Sequence, residues 1–331
     1  MPVKIRPAEL ADIDAMGELL VQDGKQRQAT DPILWTLAPV ALEKVTSTIK
    51  AAMENTSPPF RQQWLLAEDG DTVVGLTHTI LLPVPPIYAG EFGPPGLIME
   101  DCFVTDGAPA DTAKALLEAA EADLVEAGAI ILLGSSASGG AWERLYRAAD
   151  YTPLTLYFAK TGLTDAPASE DVREAVADDV EAIVASSAVN RQVLYDLNDF
   201  WKPHPDADAR FGAWMARSLT LADRDMFVSE AEGDFEGYVI SQPASALHFP
   251  SAHDVTGIGF IDDYFHTDYE NPDSLEEDGP AAAALLHAAE AALKARGNRA
   301  ALIVCPAAWS SKISLLQNLG YETAITWFIK S

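Results

Sequence analysis

Positive charge is scarce in this sequence. Its 331 residues hold 22 Lys and Arg against 50 Asp and Glu, a formal net charge of −28. Such a surface repels nucleic-acid phosphates and anionic lipid, so no nucleic acid and no membrane is expected as a partner. It would attract a cationic small molecule such as a polyamine or an aminoglycoside, or serve solubility alone. Cysteine is nearly absent. Cys102 and Cys305 each sit in an apolar run without metal-ligand spacing, as expected of buried, reduced thiols. The six histidines (His78, His204, His248, His253, His266 and His287) form no metal pattern, so no metal is expected. His266, at a strand end, is the most site-like of them. No apolar run reaches the roughly 18 residues of a membrane helix. The start, Met1-Pro2-Val3-Lys4-Ile5-Arg6, lacks a signal-peptide core, and the expectation is a cytoplasmic protein. No Gly-x-Gly-x-x-Gly follows a strand, which speaks against a dinucleotide-binding dehydrogenase.

The chain does contain a stretch that occurs twice. One copy runs from Leu97 to Gly128 and the other from Phe260 to Gly297. Each begins as an apolar strand with two acids, Glu100-Asp101 or Asp262-Asp263. Each continues into an Ala/Leu-rich helix around Leu116-Leu117 or Leu285-Leu286 and stops at a glycine suited to a left-handed C-cap. The offset is 162 from Cys102 to Tyr264, 169 from Gly128 to Gly297 and 170 from Lys160 to Lys330. A period so long means a duplicated domain of about 160 residues, not a solenoid. The expected division is an N-terminal domain at 1–161, a linker at 162–171 and a C-terminal domain at 172–331.

Periodicity fills in each copy. In the first, a strand at Val3–Arg6 precedes helices at Asp12–Leu20 and Pro39–Met53. Asp69-Gly70-Asp71 joins strands at Trp64–Glu68 and Thr72–Leu82 as a hairpin. Pro83–Gly96, with five prolines and three glycines, is a loop. A strand at Leu97–Thr105, a helix at Pro109–Ala127, a strand at Ile130–Leu133, a helix at Ala141–Ala148 and a strand at Leu154–Lys160 complete it. The second copy repeats the plan, with helices at Asp178–Ser186 and Ala207–Leu221 and a hairpin around Gly233-Asp234. It adds an acidic insertion, Tyr269–Asp278. Strand-rich starts and strand–helix–strand ends make each domain a mixed α/β unit.

These residues resemble the GNAT superfamily, the acetyl-CoA-dependent N-acyltransferases. Glu100-Asp101-Cys102-Phe103-Val104 is similar to that family's central acidic-aromatic-Val strand, and Leu116-Leu117 to its Leu-Leu pair. Ala141, Tyr146 and Tyr151 are similar to its later Ala-x-x-x-Tyr-x-x-x-Gly-Phe/Tyr signature, which becomes Ile313, Leu316, Gly320 and Tyr321 in copy two. Ile5-Arg6-Pro7-Ala8 and Asp12 resemble its first strand and helix. The resemblance covers nearly the whole chain, twice. It implies an α/β (α+β) fold of two tandem GNAT-like domains, each a mixed, mostly antiparallel sheet flanked by helices.

The resemblance also implies acetyl-CoA, or another acyl-CoA, as co-substrate and a small-molecule amine as acceptor. A pyrophosphate is held by free backbone amides at a helix N-terminus. The implied donor-binding residues are Phe103, Val104, Asp111, Thr112 and Ala113, with Phe265, Thr267, Ala281 and Ala282 in copy two. The family's Arg/Gln-x-x-Gly-x-Gly/Ala loop falls on Ala108, Asp111 and Ala113, and on Glu277, Pro280 and Ala282. Neither copy keeps the basic residue or the first glycine. A carboxylate about 4 Å from a phosphate charge costs roughly 4 kcal/mol at an effective dielectric near 20; turned away as an N-cap, Asp111 would cost far less. Tyr146 is the implied acid for the leaving thiolate and Glu100 or Asp101 the implied base, with the Phe103 or Val104 amide on the carbonyl.

The plainer roles are core packing for Tyr146, Trp35, Trp201 and Trp214. Strand alternation allows at most one acid of each pair to face a given cleft. Two functions follow: an N-acyltransferase working mainly through copy one, or a binding or structural protein that has lost acyl-CoA. Common origin makes an intrachain pseudo-dimer plausible, and a homo-oligomer is compatible with the sequence.

Overall fold

The computed structural model describes residues 3–165, 169–245 and 249–331. His248, the Met1-Pro2 start and part of the expected linker lie outside the described residues.

The first half runs β1 (Lys4–Pro7), α1 (Ile13–Thr30), α2 (Ala41–Glu54), β2 (Gln62–Asp69), β3 (Thr72–Leu81), β4 (Gly96–Ile98), β5 (Phe103–Val104), α3 (Thr112–Glu126), β6 (Leu132–Ala137), α4 (Ala141–Ala148) and β7 (Thr152–Thr161). The second runs β8 (Val172–Glu174), α5 (Val180–Leu197), α6 (Ala207–Ser218), β9 (Asp225–Ala231), β10 (Asp234–Pro243), β11 (Ile258–His266), α7 (Pro280–Ala295), β12 (Ala300–Pro306), α8 (Ser310–Asn318) and β13 (Glu322–Lys330). The plans match, except that the single strand β11 corresponds to the broken pair β4 and β5.

Both opening helices are longer than their apolar stripes. Ile13, Met16, Leu19 and Leu20 are buried, as expected, but α1 continues through the polar run Gln22–Thr30. Tertiary contact sustains it. Arg27 is buried, and at Gly24 an added Cβ would stand 2.8 Å from Leu37 Cδ2 and 3.2 Å from Ala252 Cβ. Helix α5 likewise runs past Ser186 because Asn190 and Arg191 point inward. In α3 and α7 the stripes Leu116, Leu117, Ala120, Leu124 and Leu285, Leu286, Ala289, Leu293 are buried against the sheet. Each enclosed leucine contributes roughly 1.5–3 kcal/mol of transfer free energy.

The strands form one sheet in the order β1-β2-β3-β4-β6-β13-β7-β12-β11-β10-β9-β8, with β5 beside β3. Its centre is an exchange. The last strand of the first half, β7, pairs with β12 of the second, and β13 pairs with β6 of the first; β7 and β13 run antiparallel between them. Side chains follow the exchange. Lys160 on β7 reaches Glu290 on α7 at 2.9 Å, and Lys330 on β13 reaches Glu121 on α3 at 2.9 Å. Other contacts recur in both halves without it. Arg6 forks onto Asp12 and Glu68, as Arg173 does onto Asp179 and Glu230.

Loops cross between the halves. Leu37 forms a β-bridge with His253, and Tyr88 with Pro203. Lys44 Nζ donates to His253 O and Arg210 Nη1 to Pro86 O, each at 2.7 Å. Residues 85–88 of the first half therefore lie against α6, and residues 252–253 of the second half against α1 and α2. Cys102 and Cys305 are free and buried, and burial pushes the Cys305 thiol up to about 12.

Candidate functional site

Among the described residues each half contains one parallel strand pair, and each pair parts. The β4–β6 ladder ends at Ile98 and Gly134; the β11–β12 ladder ends at Ile261 and Ile303. Beyond those points the strands diverge, and the helix following the first strand of each pair aims its N-terminus at the gap.

In the first half the gap is open. A cavity of about 310 Å³ lies between Phe103, Val104 and Ala113 on one side and Ser135–Trp142 on the other, with α1 at its end. The amides of Ala113 and Lys114, at the start of α3, have no partner among the described residues, and no acid occupies the first turn. Asp111 is exposed and makes no cap bond; Asp106 lines the cavity instead. Two buried polar atoms of the lining, Arg27 Nη1 and Ser135 Oγ, have no partner among the described residues. Unclaimed donors beside a helix N-terminus fit an anionic donor such as a pyrophosphate.

Beside the gap, residues 99–102 leave the ladder that was expected to run unbroken from Leu97 to Thr105. The break separates the acids. Glu100 lines the cavity, and its carbonyl accepts from Arg27, which also pairs with Asp23. Burial, then the charge of Asp101, raises the Glu100 carboxyl above its ordinary value. Asp101 turns toward His78, whose Nδ1 lies 3.1 Å from both its oxygens. Burial alone would raise Asp101, but His78 outweighs it and the carboxyl is lowered. His78 is itself fixed by stacking on Trp64 at 4.1 Å. Asp23, buried beside Arg27, is pushed up to about 6 by desolvation.

Tyr146 lies behind this cavity. Its ring is enclosed by Trp142, Tyr151 and Phe328, and a Cβ at Gly134 would come within 2.5 Å of it. Its hydroxyl is buried without a partner. Burial raises the phenol well above its ordinary value, with Cys102, Tyr151 and the two acids adding to the effect.

In the second half the gap is filled. The Ala282 amide donates to Asp268 Oδ2 at 2.9 Å, so a carboxylate of the chain sits at the N-terminus of α7. Burial would raise Asp268, but His266 and the amides of Ala281 and Ala282 outweigh it and hold it low. Pro280 at the first helical position supplies no N–H. Trp309, Tyr269 and Lys312 occupy the space between the strands. Trp309 Nε1 donates to Tyr269 O at 2.8 Å, and Lys312 Nζ to Tyr264 O at 2.7 Å. Phe265 is buried, and Thr267 donates to Glu236. The copy-two set Phe265, Thr267, Ala281 and Ala282 is thus engaged within the chain and does not fit a bound pyrophosphate.

The acid pair of this half corrects the alternation argument. Ile240 faces Asp263 and Ser241 faces Ile261, which leaves Asp262 as the extra residue of a bulge. Both Asp262 and Asp263 consequently face one cavity.

No protein-family model and no curated protein matches the chain. Solved structures do. A GCN5-related N-acetyltransferase from Sphaerobacter thermophilus is 14% identical with a TM-score of 0.54, over 99% of this chain and 95% of that one. A tandem GNAT protein from the clavulanic acid biosynthesis pathway, solved without AcCoA, is 13% identical with a TM-score of 0.48, over 99% and 98%. No helix among the described residues is long and apolar enough to cross a membrane. The chain has the GNAT fold, and its repeated order of elements builds that fold twice.

Proposed function

We propose that the first half binds an acyl-CoA and transfers its acyl group to the primary amine of a small molecule, and that the second half holds no donor. The observation that carries this reading is the contrast at the two helix N-termini: unclaimed amides over an open cavity at α3, and the Asp268 carboxylate at α7. When bound, the donor supplies the activated thioester; the chain supplies everything else. The start of α3 holds the anionic end. Glu100, its carboxyl raised above the ordinary value by burial, takes the ammonium proton. An amide of the Phe103–Val104 strand steadies the carbonyl oxygen. Tyr146, its hydroxyl buried behind the cavity, would have to be uncovered on donor binding to give its proton to the departing thiolate. The acidic surface favours a cationic acceptor.

A second reading, binding without catalysis, draws on the enclosure of Tyr146 and on Asp106 at the cavity wall. Thiol release from acetyl-CoA across a panel of primary amines separates the two. Acyl transfer predicts turnover that falls about a hundredfold in Glu100→Gln. Absence of turnover with every amine, together with unimpaired acetyl-CoA binding, would support binding alone.

A further inference from the structure

The filling of the second half leaves a different cavity above it. Trp309 and Lys312 form its floor, and α5, α6 and the 85–88 loop of the first half form its walls. Its volume is about 500 Å³, within the usual range of small-molecule sites. The walls are aromatic, with Tyr88, Trp201, Phe211 and Trp214 among the lining.

Its charges are unequally satisfied. Lys312 Nζ is turned into the Tyr264 carbonyl and lies 5.4 Å from the ring centroids of Tyr264, Tyr269 and Trp309. Arg191 is engaged by Ser187 and Asp208, and Arg210 by Pro86 O and Asp206. Asp263 accepts from Tyr238 OH at 2.7 Å and from Asn190 Nδ2 at 3.1 Å. Among the described residues Asp262 accepts one hydrogen bond, from the Gln242 amide at 3.2 Å, and feels the charge of Arg224, which lies outside the cavity lining. Asn190, 6% exposed, spends its Nδ2 on Asp263 and leaves Oδ1 with no partner. The three cations of the lining are thus occupied, while a carboxylate and a buried carbonyl oxygen remain available to a donor.

We infer that this cavity is a second, non-catalytic binding site for an organic ammonium compound with a flat apolar body. Asp262 and Asn190 Oδ1 take its N–H groups, and the aromatic walls take the body. An ammonium group over indole and phenyl faces adds cation–π attraction to the ion pair. The site needs no acyl-CoA, since the donor gap beneath it is closed by the protein's own side chains.

The test uses 2-phenylethylamine and its anionic counterpart 3-phenylpropanoate with the full chain, without acyl-CoA. Trp201, Trp214 and Trp309 lie in the site, so tryptophan fluorescence reports occupancy. The expected result is saturable quenching by the amine, none by the carboxylate, and about tenfold weaker amine binding in Asp262→Asn. Equal response to both compounds, no response to the amine, or amine binding unchanged in a folded Asp262→Asn protein would overturn the inference. Wild-type selectivity between the two compounds decides the matter even if that variant fails to fold. Loss of acyl transfer in Glu100→Gln would leave amine quenching intact, so the two proposals fail separately.

Discussion

The two gaps hold equivalent places in the two halves and differ in what fills them. Both lie where a parallel strand pair parts beside a helix N-terminus. In the first half that N-terminus faces a cavity, with Asp111 exposed and uninvolved. In the second, Asp268 occupies the amides and Trp309, Tyr269 and Lys312 fill the space behind. A helix N-terminus stabilises whichever anion reaches it. An internal carboxylate is present at very high effective concentration and excludes an external phosphate. The difference lies in where the chain's own acid sits, off the amides at the start of α3 and on the amide at the start of α7.

The contrast can be broken by moving that acid. Ala113→Glu would place a carboxylate at the open N-terminus. Acetyl-CoA affinity should fall about a thousandfold, equivalent to about 4 kcal/mol, while thermal stability stays level or rises slightly. Calorimetry and a melting curve would show both.

The exchanged strands offer a second contrast. Glu290 is fully buried and also accepts from Tyr321 OH and the Thr164 amide, whereas the Lys330–Glu121 pair is partly exposed. Urea titration should show Glu290→Ala destabilised by about 3 kcal/mol or more and Glu121→Ala by about 1 kcal/mol or less. Equal losses would contradict the asymmetry.

Tyr146→Phe separates packing from chemistry. Removing a buried, unpartnered hydroxyl should leave stability unchanged or slightly higher. As a proton donor it should lower turnover by about a hundredfold; a variant as active as wild type would make Tyr146 a core residue only.

Asp268→Asn gives the smallest effect, a loss of about 1 kcal/mol at neutral pH. Because the folded carboxyl is held below its ordinary value, its contribution is complete above that value and fades as pH falls through the lowered one. The gap between wild type and variant should therefore begin to close below about pH 4 and vanish only below the lowered value. A gap that widened in acid would mean that Asp268 is not held as an anion.

Much of the fold was legible because hydrophobic period and turn chemistry are local. The stripes of α3 and α7 and the Asp69-Gly70-Asp71 hairpin follow from neighbouring residues alone. The far turns of α1 and α5 were not, because Arg27, Asn190 and Arg191 are helical for tertiary reasons. The strand exchange was hidden by the repeat itself. Lys160 can meet Glu121 or Glu290 by the same pattern, so the sequence is degenerate between a closed half and an exchanged one. At the site, the acid pairs and Ala113 stood out by position. The plug did not, because Asp268, Tyr269, Trp309 and Lys312 come together only through folding. The clue was Pro280 at the start of α7, which leaves one fewer amide to offer.

Calorimetric titration with acetyl-CoA tests the central claim most directly. One molecule should bind per chain, and binding should be lost in Ala113→Glu and retained in Asp268→Asn. Two molecules per chain, or a single one that survives Ala113→Glu, would contradict the assignment of the donor to the first half; no binding at all would contradict donor binding itself.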